Sequence, residues 1–205
     1  MEGGSGAMPE GATSREALEQ LGEQGRRRGW NVVVSTHDRG YRRSRKLLAG
    51  FGRVVRTNFR NVLVLEVEDA GGFLMRLSEL VAREPEVLTA LARVVPAART
   101  FDFATSEEFR TKAREIALEW VPALASKSFH VRLHRRGLKG QIVSPEEERL
   151  LDRALLEALE AAGTPGSITF DDPDAVIDIE TVGRWVGVSF WTREDLDRYQ
   201  FLRLE

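Results

Sequence analysis

The stretch Lys127-Ser128-Phe129-His130-Val131-Arg132-Leu133-His134-Arg135-Arg136-Gly137-Leu138-Lys139-Gly140 alternates apolar and polar residues, then opens into a basic, glycine-bearing loop. In an extended chain Phe129, Val131 and Leu133 fall on one side and His130, Arg132 and His134 on the other. This is a strand with one buried face and one charged face. It contains no acidic residue. Further on, Asp171-Asp172-Pro173-Asp174-Ala175-Val176-Ile177-Asp178-Ile179-Glu180 reads as a polar turn and a strand. Gly183 and Val186-Gly187-Val188-Ser189 then read as a tight connection and a second strand.

The chain of 205 residues is long enough for one or two domains, and its 42% apolar content predicts a packed core. It has no cysteine, which excludes a disulfide framework, thiol catalysis, a thiolate zinc site and iron–sulfur ligation. No apolar run reaches the roughly 20 residues of a membrane span. The start, Met1-Glu2-Gly3-Gly4-Ser5-Gly6, is polar and unlike a secretory signal. A cytoplasmic protein with no membrane partner is expected, and residues 1–12 read as a flexible tail.

Net charge is −2, from 30 basic and 32 acidic residues, so overall charge does not mark a nucleic-acid-binding protein. The distribution does. From Arg26 to Arg60 run Arg26, Arg27, Arg28, Arg39, Arg42, Arg43, Arg45, Lys46, Arg53, Arg56 and Arg60, with Asp38 the only acid. Lys127 to Lys139 is a second acid-free basic stretch. The acids gather at Glu146–Glu160 and Asp171–Glu180. Segregation of this kind builds a positive face on a nearly neutral molecule.

Periodicity then orders the elements. A capping box at Thr13 and Glu16 predicts a helix with Leu18 and Leu21 apolar. Strands are expected at Trp30–Thr36, Arg53–Arg56, Val62–Val67 and around Ala92–Val95, with helices at Tyr41–Ala49 and Phe73–Ala82, the latter stopped by Pro85. The order β-α-β-β-α-β is the ferredoxin-like pattern. RNA recognition motifs share it and stack bases on sheet aromatics. Asn31–Thr36 and Val62–Glu68 carry no aromatic, so stacking on this sheet is not expected. A second capping box, Thr105 and Glu108, opens a helix through Phe109, Ala113, Ile116, Ala117, Trp120 and Leu124. The strand Phe129–Arg135 follows. Ser144-Pro145-Glu146-Glu147 starts a helix with Ser144 as N-cap. Strands at Val176–Thr181 and Val186–Trp191 form a hairpin through Gly183-Arg184-Trp185, with Trp120, Trp185 and Trp191 expected in core or hairpin packing and Trp185 the most exposed of the three, and a helical turn follows at Thr192–Tyr199.

The order after residue 105, with the two blocks inside it, resembles the THUMP domain. The first block matches through Lys127, Ser128, Phe129, Val131, Arg132, Arg135 or Arg136, and Gly137. The second matches through Asp172, Pro173, Asp174, Ile177, Ile179, Glu180, Gly187, Val188 and Ser189. The resemblance implies an α+β protein: an N-terminal ferredoxin-like βαββαβ domain followed by an α/β THUMP domain. The divisions expected are 13–104, the N-terminal helix plus ferredoxin-like domain, and 105–205, the THUMP domain. It further implies binding of the tRNA acceptor stem and 3′ end. The sequence shows no glycine-rich cofactor loop and no phosphate-binding loop. The chain is therefore similar to the stand-alone adaptor that partners tRNA cytidine acetyltransferase, with no cofactor and no catalytic residues expected. The alternatives are a small RNA-acting enzyme, or the RNA-binding subunit of a methyltransferase or thiouridine synthase.

The expected RNA contacts are Lys127, His130, Arg132, His134, Arg135, Arg136, Gly137 and Lys139. A second set is Arg42, Arg43, Arg45, Lys46, Arg56 and Arg60. Guanidinium forks suit phosphate oxygens, and glycine lets the backbone approach a ligand closely. His130 and His134 share a strand face but lack an evident third ligand, so no metal site is expected. Asp171, Asp172, Asp174 and Asp178 could in principle serve metal-dependent hydrolysis. Asp-Asp-Pro-Asp is better explained as turn chemistry.

Overall fold

A computed structural model describes residues 29–202. The helix expected at Thr13 and the Arg26–Arg28 run lie outside these residues. Val32–Thr36 forms β1, Tyr41–Leu48 helix α1, Arg53–Arg56 β2, Val62–Glu66 β3, Ala70–Arg83 helix α2 and Leu91–Pro96 β4. The sheet order is β2-β3-β1-β4 with every neighbour antiparallel, the ferredoxin-like arrangement. The apolar stripes of α1 and α2 cover one face: Leu48, Phe73, Leu74 and Leu77 bury against Val32, Val34, Leu63 and Leu65. A 3₁₀ turn at Pro85–Thr89 follows α2, where proline cannot continue the helix.

The second sheet begins earlier than residue 105. Arg99–Asp102, β5, pairs antiparallel with β9. Ser106–Leu118 is helix α3, capped by Thr105, whose Oγ1 accepts from the Glu108 amide at 3.1 Å. Ser128–Arg136 is β6, Ser144–Ala161 helix α4, Ser167–Ile168 β7, Ala175–Val182 β8, Trp185–Thr192 β9 and Arg193–Arg198 helix α5. Val143, not Ser144, is the N-cap residue of α4, and Pro145 stands in its first turn. The order is β5-β9-β8-β6-β7, with β6 parallel to both β7 and β8. Helices α3 and α4 cover one face, burying Phe109, Ala113, Leu151 and Leu155 against Phe129, Val131, Ile177 and Val188. This is the α/β THUMP-like half of the fold. Among the described residues no helix is long and apolar enough to cross a membrane.

The two helix-free sheet faces meet over part of their area. Trp30, Val33, Val62 and Val64 from the first unit pack with Val182 and Trp185 from the second. Trp185 is half-buried, more exposed than Trp120 or Trp191, and its indole donates to the Trp30 carbonyl at 3.2 Å. Gly187 is required there: a β-carbon would come within 2.8 Å of the Ala97 side chain and 2.9 Å of the Trp30 ring. The chain then returns to the first unit. Trp191, Tyr199, Phe201 and Leu202 complete its core, and the Val94 amide donates to the Phe201 carbonyl at 2.8 Å.

Candidate nucleic-acid interface

Strand β6 divides its side chains as its alternation requires. Phe129, Val131 and Leu133 bury under α3 and α4. His130, Arg132, His134 and Arg136 take the other face. The C-terminal half of that face turns into the junction between the sheets. There Arg93 of β4 donates through Nη2 to Asp178 Oδ2 at 2.6 Å, through Nη1 to Glu180 Oε1, and through Nε to the Leu202 carbonyl at 3.0 Å. Arg136 donates to the other Glu180 oxygen and to Ser35 Oγ at 2.9 Å. Two guanidiniums thus meet two carboxylates, and the buried charges cancel.

His134 and Arg136 therefore belong to the junction. Arg136 is only 16% exposed and already paired, so it is not open to a phosphate. His134 is held down to about 3, first by burial and then by the charges of Arg93, Arg136 and Arg132, so its ring is neutral near neutral pH. Its Nε2 lies 3.8 Å from Asp178 Oδ1, and both atoms are buried without a hydrogen-bond partner. Burial pushes Asp178 up, opposed by Arg93. His134, Asp178 and Glu180 place ligand atoms within 4.8 Å of one another. Three of the four carboxylate oxygens, Glu180 Oε1 and Oε2 and Asp178 Oδ2, already accept from arginine. Two guanidiniums beside them also oppose a further cation. The cluster is an ion-pair junction, not an open metal cage.

The remaining predicted residues fall into two places. At the C-terminal end of β6, Arg135 turns back to donate to the Gly137 carbonyl. Lys139 is exposed beyond it. Gly137 adopts φ +91°, and its backbone lies against the Phe59 ring: Cζ is 3.1 Å from the site of a β-carbon. Phe59 sits in the β2–β3 turn, which Thr57 braces by donating to the Val62 carbonyl at 2.9 Å. Arg56 and Arg60 flank this turn and are exposed. Arg60 pairs with Asp38 at 3.0 Å, the one acid of the basic stretch. Next to the turn, Tyr41, Arg42, Arg45, Lys46, Arg56 and Thr57 help line an open groove of about 910 Å³ between α1 and β2. Arg43 is exposed but does not line it. The Phe59–Gly137 contact thus sets the turn flanked by Arg56 and Arg60 against the loop that carries Lys139.

Toward the other end of β6 stand Lys127 and His130, with Arg132 at the middle of the strand. Arg136 lies six positions beyond His130, roughly 20 Å of extended chain. Lys127 is exposed and Arg132 half-buried. His130 is mostly buried, its Nδ1 2.8 Å from the Thr169 carbonyl and its ring 5.0 Å from Phe170. The neighbouring aspartates act as a latch. Asp174 Oδ2 accepts from the Ser128 amide and hydroxyl, each at 2.8 Å, which holds its carboxyl below its ordinary range. Arg193 binds Asp172 at 2.8 Å and Asp174 at 3.1 Å. Asp172 has φ +48°, a left-handed conformation that aspartate tolerates in turns.

Sequence reasoning did not select Phe170, Arg93 or Ser35. Phe170 carries a faint signal as a lone aromatic ahead of a polar turn. Arg93 and Ser35 carry none, because only the junction of the sheets gives them partners.

No protein-family model and no curated protein matches this chain. Its fold is similar to that of solved structures. TrmN from Thermus thermophilus superposes with a TM-score of 0.53 at 19% identity, over 78% of this chain and 44% of that one. PH1313 from Pyrococcus horikoshii Ot3 superposes with a TM-score of 0.52 at 13% identity, over 78% of this chain and 53% of that one. The chain thus spans about half the length of the structures it matches, and what it shares with them is the paired ferredoxin-like and THUMP-like fold.

Proposed function

We propose that this chain binds RNA, with the acceptor stem and 3′ end of tRNA as its target, and serves as the binding component of an RNA-modifying system. The observation that carries this reading is the Phe59–Gly137 contact. It sets the β2–β3 turn, flanked by Arg56 and Arg60, against the loop that carries Lys139, and Arg56 also lines the groove with Arg42, Arg45 and Lys46. A strip of arginines and lysines along a groove tracks a phosphate backbone without reading sequence. On the first sheet, Val33, Val62 and Val64 pack with Val182 and Trp185 of the second unit, which takes them out of reach of a base.

The adaptor role, cytidine acetylation in particular, rests on the resemblance of the Lys127–Gly137 and Asp172–Ser189 blocks. Deleting the gene and comparing tRNA nucleoside masses tests it: loss of one modification supports an adaptor, and an unchanged profile counts against it. RNA binding itself is tested by titrating intact tRNA and tRNA trimmed of its 3′ single strand. Tighter binding of the intact molecule is expected, and equal binding would refute the acceptor-end reading.

A further inference from the structure

Phe170 is 69% exposed, more than any other large apolar side chain among the described residues. It follows β7, and its ring stands 5.0 Å from that of His130 at an interplanar angle of 38°. His130 is anchored. The Thr169 carbonyl can only accept, so the 2.8 Å contact places a proton on Nδ1. In the neutral ring Nε2 then keeps its lone pair. Burial, the largest cause, lowers the affinity of His130 for a second proton. Arg132 follows two residues along the same strand face and makes no hydrogen bond or ion pair among the described residues. Close by, Asp172 and Asp174 are engaged by Arg193 and Ser128, and Glu148 accepts from the Leu133 amide at 2.7 Å.

These parts differ from those of a protein-docking patch. Phe170 stands alone between Thr169 and Asp171 rather than within a broad apolar surface. An isolated exposed ring backed by a second ring, with a hydrogen-bond acceptor and an unengaged guanidinium on one strand, has the chemistry of a nucleotide site. We infer that Phe170 and His130 form a stacking platform for the base of an unpaired nucleotide. His130 Nε2 accepts from a ribose hydroxyl or exocyclic amine, and Arg132 meets the adjoining phosphate. The inference rests on the RNA-binding reading above and adds a second contact, displaced along β6 from the basic loop.

The test uses a labelled hairpin RNA with a short 3′ single strand and the same hairpin blunt-ended. Wild-type protein, Phe170→Ala, Phe170→Leu and Phe170→Tyr are titrated with each. Phe170→Ala and Phe170→Leu are expected to weaken binding of the tailed RNA about ten- to a hundredfold, the range for one stacked base. Binding of the blunt RNA is expected to stay unchanged, and Phe170→Tyr to keep wild-type affinity for both. If wild-type protein binds both RNAs and Phe170→Ala binds the tailed one equally well, the platform is refuted while RNA binding stands. An equal loss on both RNAs also refutes it. Wild-type protein that binds neither RNA overturns the RNA-binding reading and the platform with it.

Discussion

Phe59 rests on Gly137 so closely that a β-carbon there would stand 3.1 Å from the ring's Cζ, and Gly137 holds φ +91° to allow it. Two demands fall on one residue: a left-handed backbone and an empty space. Gly137→Ala violates both. It is expected to lower unfolding free energy by about 1–3 kcal/mol in urea titration, the usual cost of a non-glycine residue held in a sparsely populated conformation. A loss below about 0.5 kcal/mol would mean that the turn and the loop are not locked together. The same variant is expected to weaken RNA binding, because the turn carrying Arg56 and Arg60 shifts relative to Lys139.

The ion pairs of this protein differ in worth. Arg93 bridges Asp178 and Glu180 in a buried junction. Removing it leaves two carboxylates facing Arg136 alone, so Arg93→Met is expected to cost about 3–5 kcal/mol in urea titration. The exposed pair Arg53–Glu66 is the control. Its side chains are 62% and 44% accessible, and Arg53→Met is expected to cost less than about 1 kcal/mol. Similar losses for the two variants would contradict the junction's role.

His134 makes the junction sensitive to acid. Its folded value of about 3 lies below the ordinary 6.5, so the unfolded chain binds more protons between these values. Its contribution to stability therefore falls as pH drops through that window. Asp178, raised by burial, has the opposite sign. The groups facing His134 are Arg93 on β4, Arg132 and Arg136 on β6, and Asp178 and Glu180 on β8. The difference between wild type and His134→Gln isolates the histidine. Urea midpoints from about pH 7 to pH 4 are expected to fall less steeply in the variant. Parallel curves would show that His134 is not held neutral.

Asp152 on α4 gives the reverse case. Its Oδ1 accepts from the Val131 amide at 2.8 Å, yet burial, reinforced by Glu148, pushes its carboxyl up to about 6. The protonated form is favoured by folding, so its contribution is complete below about 3.8 and is lost as pH rises through 6. Asparagine keeps the acceptor and cannot ionise. Asp152→Asn is expected to raise the urea midpoint at neutral pH and to flatten the profile across that window. A lower midpoint at neutral pH would mean that the carboxylate itself is needed.

Salt dependence separates phosphate contacts from structural arginines. Lys46→Ala and Arg56→Ala are each expected to reduce the slope of log K against log salt for tRNA by roughly 0.7–0.9, one lost phosphate contact apiece. Arg136→Ala is expected to lower folding stability and leave the slope nearly unchanged. A slope change for Arg136 as large as that for Arg56 would place its side chain on the RNA rather than in the junction.

Much of this fold is legible in the sequence because its signals are local. Alternation at Phe129–Leu133 gave β6, the Thr105 and Glu108 pair gave the start of α3, and Gly183-Arg184-Trp185 gave the β8–β9 hairpin. Strand β7 escaped because its two residues carry no period. The candidate site was half legible. Alternation told which side of β6 Arg132, His134 and Arg136 occupy, but not that the far half of that side meets another sheet. Ser35 and Arg93 become partners of Arg136 and Glu180 only through that meeting, and no local pattern encodes it. Nor does any local pattern mark Phe59, whose half-buried position against Gly137 links two basic segments.

The return of Tyr199, Phe201 and Leu202 to the first core has a consequence for the order of assembly. Arg93 donates to Leu202 across 109 positions of chain, and Val94 to Phe201 across nearly as many. Contacts of such long range raise contact order and slow folding. During synthesis the ferredoxin-like half emerges first, yet residues that seal its core emerge only after the whole second sheet. The two halves are therefore finished together rather than one after the other, and truncation between β8 and Tyr199 leaves the N-terminal core open.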